Sequence, residues 1–146
     1  MSVGKKANKV LDRLRPQIFA RDGACVVRGS QWDLIDECRG DLTLQHRAPR
    51  GMGGNTDDFN APENLLAMCL NHNRLERNSV PFRDFCRRSG YAMPRWIIEG
   101  ANGLDAGMVP VRYADGWHLV EGLDRRAISA ETALTVIAMI YGDAAD

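Results

Sequence analysis

Between Leu42 and Leu75 the chain runs Leu-Thr-Leu-Gln-His-Arg-Ala-Pro-Arg-Gly-Met-Gly-Gly, then Pro62-Glu63-Asn64-Leu65-Leu66-Ala67-Met68-Cys69-Leu70-Asn71-His72-Asn73-Arg74-Leu75. No other stretch restricts the fold as much. Two short apolar segments, Leu42–His46 and Leu65–Met68, have strand length and composition and are separated by a glycine-rich loop. A polar helical pattern from about Asn71 follows the second. The spacing therefore predicts a strand, a loop, a second strand and a helix packed as one unit.

Chemistry gathers on this unit. Histidine is the side chain that titrates near neutral pH, and His46 stands where the first apolar segment ends. Hydrolysing a phosphodiester with water needs such a base. It also needs a hard cation, which prefers oxygen ligands, and the Asn73 amide suits that ion better than a thiolate does. The competing reading makes His46 a satisfied histidine at a strand end and Asn73 an ordinary helix residue.

The pattern resembles the HNH family of metal-dependent nucleases, in the variant whose last letter is Asn. The three letters fall on His46, Asn64 and Asn73. The resemblance implies a ββα-metal core in which His46 is the general base, Asn64 holds the loop that aims it, and Asn73 helps to bind one divalent cation, Mg²⁺ or Mn²⁺. Gln45 and His72 join Asn73 as candidate ligands. Gln45 departs from the pattern, because that position usually carries Asp, Glu or His. A neutral amide leaves the cation short of charge unless Asp57 or Asp58 supplies it. The run from Gln45 to Gly54, the segment Asn60–Leu66 and the later Val109-Pro110-Val111 look most like small HNH endonucleases encoded by phages of actinobacteria, over roughly residues 15–121. The resemblance implies DNA as partner and a role in DNA processing during packaging, with a phage terminase as a further partner.

The chain is neutral overall, with 19 Lys/Arg and 19 Asp/Glu, but the charge is unevenly spread. Residues 1–95 hold 16 basic against 11 acidic side chains, a net of +5, and residues 96–146 hold 3 against 8, a net of −5. The positive half contains the motif. Lys5, Lys6, Lys9, Arg13, Arg15 and Arg21 precede it, and Arg74, Arg77, Arg83, Arg87, Arg88 and Arg95 follow it, as a phosphate-tracking surface requires. Arg47 and Arg50 stand beside the expected cut. The candidate DNA contacts are thus Arg47, Arg50, Arg74, Arg77, Arg83, Arg87 and Arg88, the first two weighed against a surface ion pair and the others against a solvated helix face.

The four cysteines pose a separate question. Cys69-Leu70-Asn71-His72 has the spacing of one half of a zinc site, but after Cys25 the second ligand of a partner knuckle is missing. Cys38 could substitute and give a Cys25/Cys38/Cys69/His72 site, although twelve residues is not a knuckle spacing. The favoured reading keeps Cys25, Cys69 and Cys86 as reduced, buried small hydrophobes.

The expected class is α+β, an HNH core with flanking helices, a C-terminal β-hairpin and a last helix. Residues 1–24 form a basic helical segment, with Pro16 kinking the helix over 7–21 or starting a new turn. Residues 25–95 form the core and its following basic helix, capped by Ser79 and stopped at Gly90. Residues 96–146 form an acidic extension, with a hairpin around Ala114-Asp115-Gly116 and a helix from Ser129 to Tyr141 whose apolar face is Ala133, Leu134, Ile137, Ile140 and Tyr141. Gly100–Gly107 is the expected flexible joint. No apolar run spans a bilayer and no signal-peptide pattern opens the chain, so a cytoplasmic protein is expected. Two other functions compete with the nuclease: a noncatalytic DNA-binding or packaging accessory protein with a degenerate site, favoured by Gln45, and a zinc-stabilised interaction module.

Overall fold

The computed structural model describes residues 3–49 and 56–142, with side chains at 9–49, 58–100 and 102–142. It is an α+β protein built around two small antiparallel sheets. Helix α1 (Val3–Asp22) leads through a short helix α2 (Gln31–Ile35) to strand β1 (Leu42–His46). After α3 (Thr56–Phe59) and a 3₁₀ turn at Pro62–Asn64, strand β2 (Leu65–Cys69) pairs with β1, Leu42 opposite Cys69 and His46 opposite Leu65. Helices α4 (Leu70–Asn78) and α5 (Val80–Arg88) follow directly. Next come α6 (Arg95–Ile98), two 3₁₀ turns, a meander of β3 (Val111–Tyr113), β4 (Gly116–Glu121) and β5 (Asp124–Ala127), and α7 (Ala130–Tyr141).

Local chemistry explains the boundaries. Ser79 caps α5 by accepting from the Phe82 N–H at 3.2 Å, with Pro81 in the first turn. Gly90 ends that segment at φ +79°, and a Cβ there would collide with the Pro110 carbonyl oxygen, so only glycine fits. Ser129 caps α7 through the Thr132 N–H. Helix α1 continues through Pro16.

Strand β2 is buried along its whole length, which accounts for its unbroken apolar run. One face meets Val26, Val27, Phe82, Cys86, Tyr91, Val111 and Val120, and Leu65 meets Leu11 and Ile18 of α1. A third cluster joins Phe59, Met93, Ile97 and Val109 to Ile137 of α7. The three segments expected from the sequence thus share their interiors. A buried ion pair reinforces this: Arg21 Nε donates to Asp22 at 2.9 Å, Arg21 Nη1 donates to the Pro62 and Gly122 carbonyls, and Asp22 accepts from the Ala67 N–H at 2.8 Å and the Tyr113 hydroxyl at 2.6 Å. Arg21, expected on the phosphate-tracking surface, is an internal fastener instead.

Two further expectations change. The C-terminal hairpin is a three-stranded meander, because β5 is a polar edge strand with no apolar alternation to announce it. Leu134 is 55% exposed, so the packed face of α7 is narrower than its apolar composition and centres on Ala133 and Ile137. The span expected to be a joint is occupied by 3₁₀ turns at Ala101–Gly103 and Ala106–Met108, and the Ala106 carbonyl accepts a bond from Arg47. No helix among the described residues is long and apolar enough to cross a membrane.

Candidate functional site

The end of β1 and the exposed side of α4 form the walls of a cleft. Its main hollow, about 620 Å³, is lined by Gln45, His46, Glu76, Arg83, Arg87 and Arg95, together with Met93 and Tyr141. An adjoining hollow of about 230 Å³ shares Gln45, His46 and Glu76 and adds Asn73 and Arg77. The antiparallel register explains the grouping: β2 pairs along β1 and turns straight into α4, which carries Asn73, Glu76 and Arg77 back past the end of β1.

Asn64 is fully buried and braces this region. Its Oδ1 accepts from the Ala48 N–H at 2.8 Å, and its Nδ2 donates to the Ala48 carbonyl at 3.0 Å and the Phe59 carbonyl at 2.8 Å. One side chain thereby holds the chain on both sides of the glycine-rich loop. His46 Nε2 lies 2.8 Å from Asn60 Oδ1. Asn73 donates Nδ2 to Thr43 Oγ1 at 2.7 Å, so Oδ1 is its atom with lone pairs for a cation. Gln45 is mostly buried and lines both hollows.

Glu76 was missed from the sequence. It lies three residues after Asn73 on α4, the spacing that puts two side chains on one helix face, and among the described residues it is the carboxylate that lines both hollows. Asp58 lines a separate hollow with Glu63, Asp105 and Glu121. The Asp57 side chain, Arg50 and Gly51–Gly54 lie outside the described residues, as do the side chains of Lys5 and Lys6.

Two candidate residues are corrected. Arg47 does not face DNA: it is 1% exposed, and its guanidinium donates to the carbonyls of Gly90, Glu63, Ala106 and Val109 at 2.8 to 3.1 Å. Loss of water around it lowers its pKa to about 10. His72 cannot serve the cleft either, because it is fully buried and both ring nitrogens are engaged elsewhere. Among the expected DNA contacts, Arg77, Arg83 and Arg87 line the cleft; Arg74 is exposed outside it, and Arg88 turns toward Asp84 and the Gly142 carbonyl. Arg83 also donates to the Glu76 and Arg77 carbonyls at the end of α4.

His72 belongs to a second cluster. Its Nδ1 lies 3.2 Å from Cys69 Sγ, 3.6 Å from Cys38 Sγ and 3.8 Å from Cys25 Sγ, and the four ligand atoms all fall within 4.8 Å of one another. These residues could hold a metal ion. Four ligands placed tetrahedrally at normal zinc distances stand about 3.6 to 3.8 Å apart, close to the separations of the sulfurs from Nδ1. His72 Nε2 is 2.6 Å from the Asp36 carbonyl, which can only accept; the ring proton is therefore on Nε2 and the Nδ1 lone pair faces the sulfurs. Asp33 orders the loop by accepting from the Gly29 and Cys38 N–H groups, and those bonds hold its carboxyl below the usual range. In the metal-free protein, burial raises the Cys25 thiol to about 11. Cys86, buried against Phe82 and Tyr91, stays outside the cluster. Cys25, Cys69 and Cys86 are free and buried, as the reading of them as small hydrophobes expects, and Cys38 reaches the first two through the α2–β1 loop rather than by sequence spacing.

No protein-family model, no curated protein and no solved structure matches the chain.

Proposed function

We propose that the chain is a metal-dependent endonuclease of the HNH type acting on DNA, with a structural zinc at Cys25, Cys38, Cys69 and His72. The observation that carries the first part is the shared cleft: His46, Gln45, Asn73 and Glu76 open on one surface together with Arg77, Arg83, Arg87 and Arg95. Base, oxygen ligands and phosphate-binding cations are thus adjacent.

His46 takes a proton from water as that water attacks the phosphate in line. Asn64 keeps the end of β1 fixed so that the imidazole does not have to be reoriented at each turnover. Asn73, Glu76 and Gln45 supply the oxygen donors that would hold a Mg²⁺ or Mn²⁺, and Glu76 provides the charge that Gln45 does not. When bound, the cation offsets charge on the phosphorane and on the departing 3′ oxygen. The arginines on the cleft wall hold the flanking phosphates. The DNA-packaging context and a terminase partner belong to the same reading.

The test is nicking of supercoiled plasmid by the purified protein with Mg²⁺, Mn²⁺ or EDTA, beside His46→Ala. Metal-dependent nicking that is lost in His46→Ala supports the proposal. Wild-type cleavage by His46→Ala would sink it. The neutral amide at Gln45 favours one other reading, a noncatalytic DNA-binding accessory protein, which predicts salt-sensitive DNA binding without cleavage in any metal.

A further inference from the structure

We propose that Asn60 is the positioning residue of His46, setting which ring nitrogen carries the proton; this rests on the reading of His46 as the general base. Asn60 Oδ1 lies 2.8 Å from His46 Nε2, and Asn60 is 3% exposed. An amide oxygen has no proton to give, so in this pair the ring nitrogen donates. His46 is thereby held as the Nε2–H tautomer, and its basic lone pair is on Nδ1. In an enzyme that needs one proton acceptor at a fixed place, the wrong tautomer is an inactive one.

The placement of Asn60 is built rather than incidental. It follows Phe59, which is 2% exposed in the core and whose carbonyl accepts from Asn64 Nδ2 at 2.8 Å. That same Asn64 holds Ala48, two residues after His46, by two further bonds. Imidazole and amide are therefore both referred to one buried side chain, although fourteen residues separate them. Removing Asn60 takes away the acceptor that holds the proton on Nε2.

The experiment has two readouts. Ring ¹⁵N chemical shifts report the tautomer of each histidine, and the chain has three, His46, His72 and His118. Plasmid-nicking kinetics over pH report the consequence. Wild type should show His46 as Nε2–H, and Asn60→Ala a mixture of tautomers. In Asn60→Ala, kcat should fall about tenfold or more, because part of the population carries the wrong tautomer, with KM within about twofold. Asn60→Asp nearly preserves shape and so remains informative if Asn60→Ala fails to fold. Its carboxylate still accepts from Nε2–H, so the wild-type tautomer should persist, and its loss would equally overturn the proposal. An Nδ1–H tautomer in wild type, or unchanged tautomer populations in Asn60→Ala, overturns the proposal. A wild type that cleaves nothing overturns the nuclease reading instead, and the ring shifts still decide the role of Asn60.

Discussion

The buried amide of Asn64 bonds both the N–H and the carbonyl of Ala48, replacing the strand partner that β1 loses where the loop begins. A third bond, to Phe59, closes the far side. Asn64→Ala would leave three backbone groups unsatisfied in the interior and should cost on the order of 3 kcal/mol. Asn64→Asp keeps the acceptor but cannot donate to either carbonyl, so it should be no milder. Urea midpoints of the three proteins measure this; a loss below about 0.5 kcal/mol in both variants would remove the bracing role.

Arg47 is bound to four carbonyls and to no phosphate-facing surface. Arg47→Met should therefore lower stability while leaving the salt dependence of DNA binding unchanged, whereas replacing Arg83 and Arg87 should flatten that dependence. Urea unfolding and binding titrations at several salt concentrations separate the two effects. A flattened slope in Arg47→Met would return it to the DNA surface.

In the cleft, Glu76→Gln removes the carboxylate that lines both hollows and should raise the Mg²⁺ concentration for half-maximal nicking about tenfold or more. Gln45→Asp should lower it, and the wild type should work better with Mn²⁺, which accepts amide ligands more readily. Metal titrations of the three proteins side by side read the order. If Glu76→Gln matches wild type, the charge comes from elsewhere.

For the thiol cluster, the folded chain should carry one zinc, and Co²⁺ in its place should give the intense thiolate absorption of a tetrahedral site. Cys38→Ala should weaken retention tenfold or more and lower the melting temperature; Cys86→Ala should leave the metal content unchanged. Metal analysis after dialysis against a chelator checks both. Equal metal content in the two variants would exclude Cys38 as a ligand.

All three tyrosines are held above their ordinary value near 10, chiefly by burial: Tyr141 to about 12, Tyr91 and Tyr113 further, the last also by the neighbouring Asp22 carboxylate. A folded pKa above the unfolded one contributes stability that is complete below pH 10 and is lost as pH rises toward the folded value. Phenolate absorbance should therefore lag behind that of free tyrosine and rise together with unfolding at about pH 12. Free titration near pH 10 with the fold intact would contradict the burial.

Much of the fold was legible in the chain because it rests on local rules. The apolar run of β2, the Ser79 cap with Pro81 behind it, and the stop at Gly90 each depend on neighbours a few residues away. The same holds for His46 at a strand end and for the Ala114-Asp115-Gly116 turn that announced β3 and β4. Strand β5 was hidden because a polar edge strand takes its structure from its partner rather than from its own pattern.

What tertiary structure decided is where side chains point. Sequence made Arg47 and Arg21 part of a basic surface, yet both are drawn inside by carbonyls that strand ends and turns leave unpaired. It likewise placed His72 beside Asn73 in one ligand set. Adjacent residues on a helix differ by about 100° in direction, so one faces the thiols and the other the cleft. Cys38 and Glu76 reach their clusters through a loop and a helix turn, and Asn60 meets His46 across fourteen residues. Residue type and spacing determined which chemistry was available; only the packing of β1, β2 and α4 determined which atoms could share it.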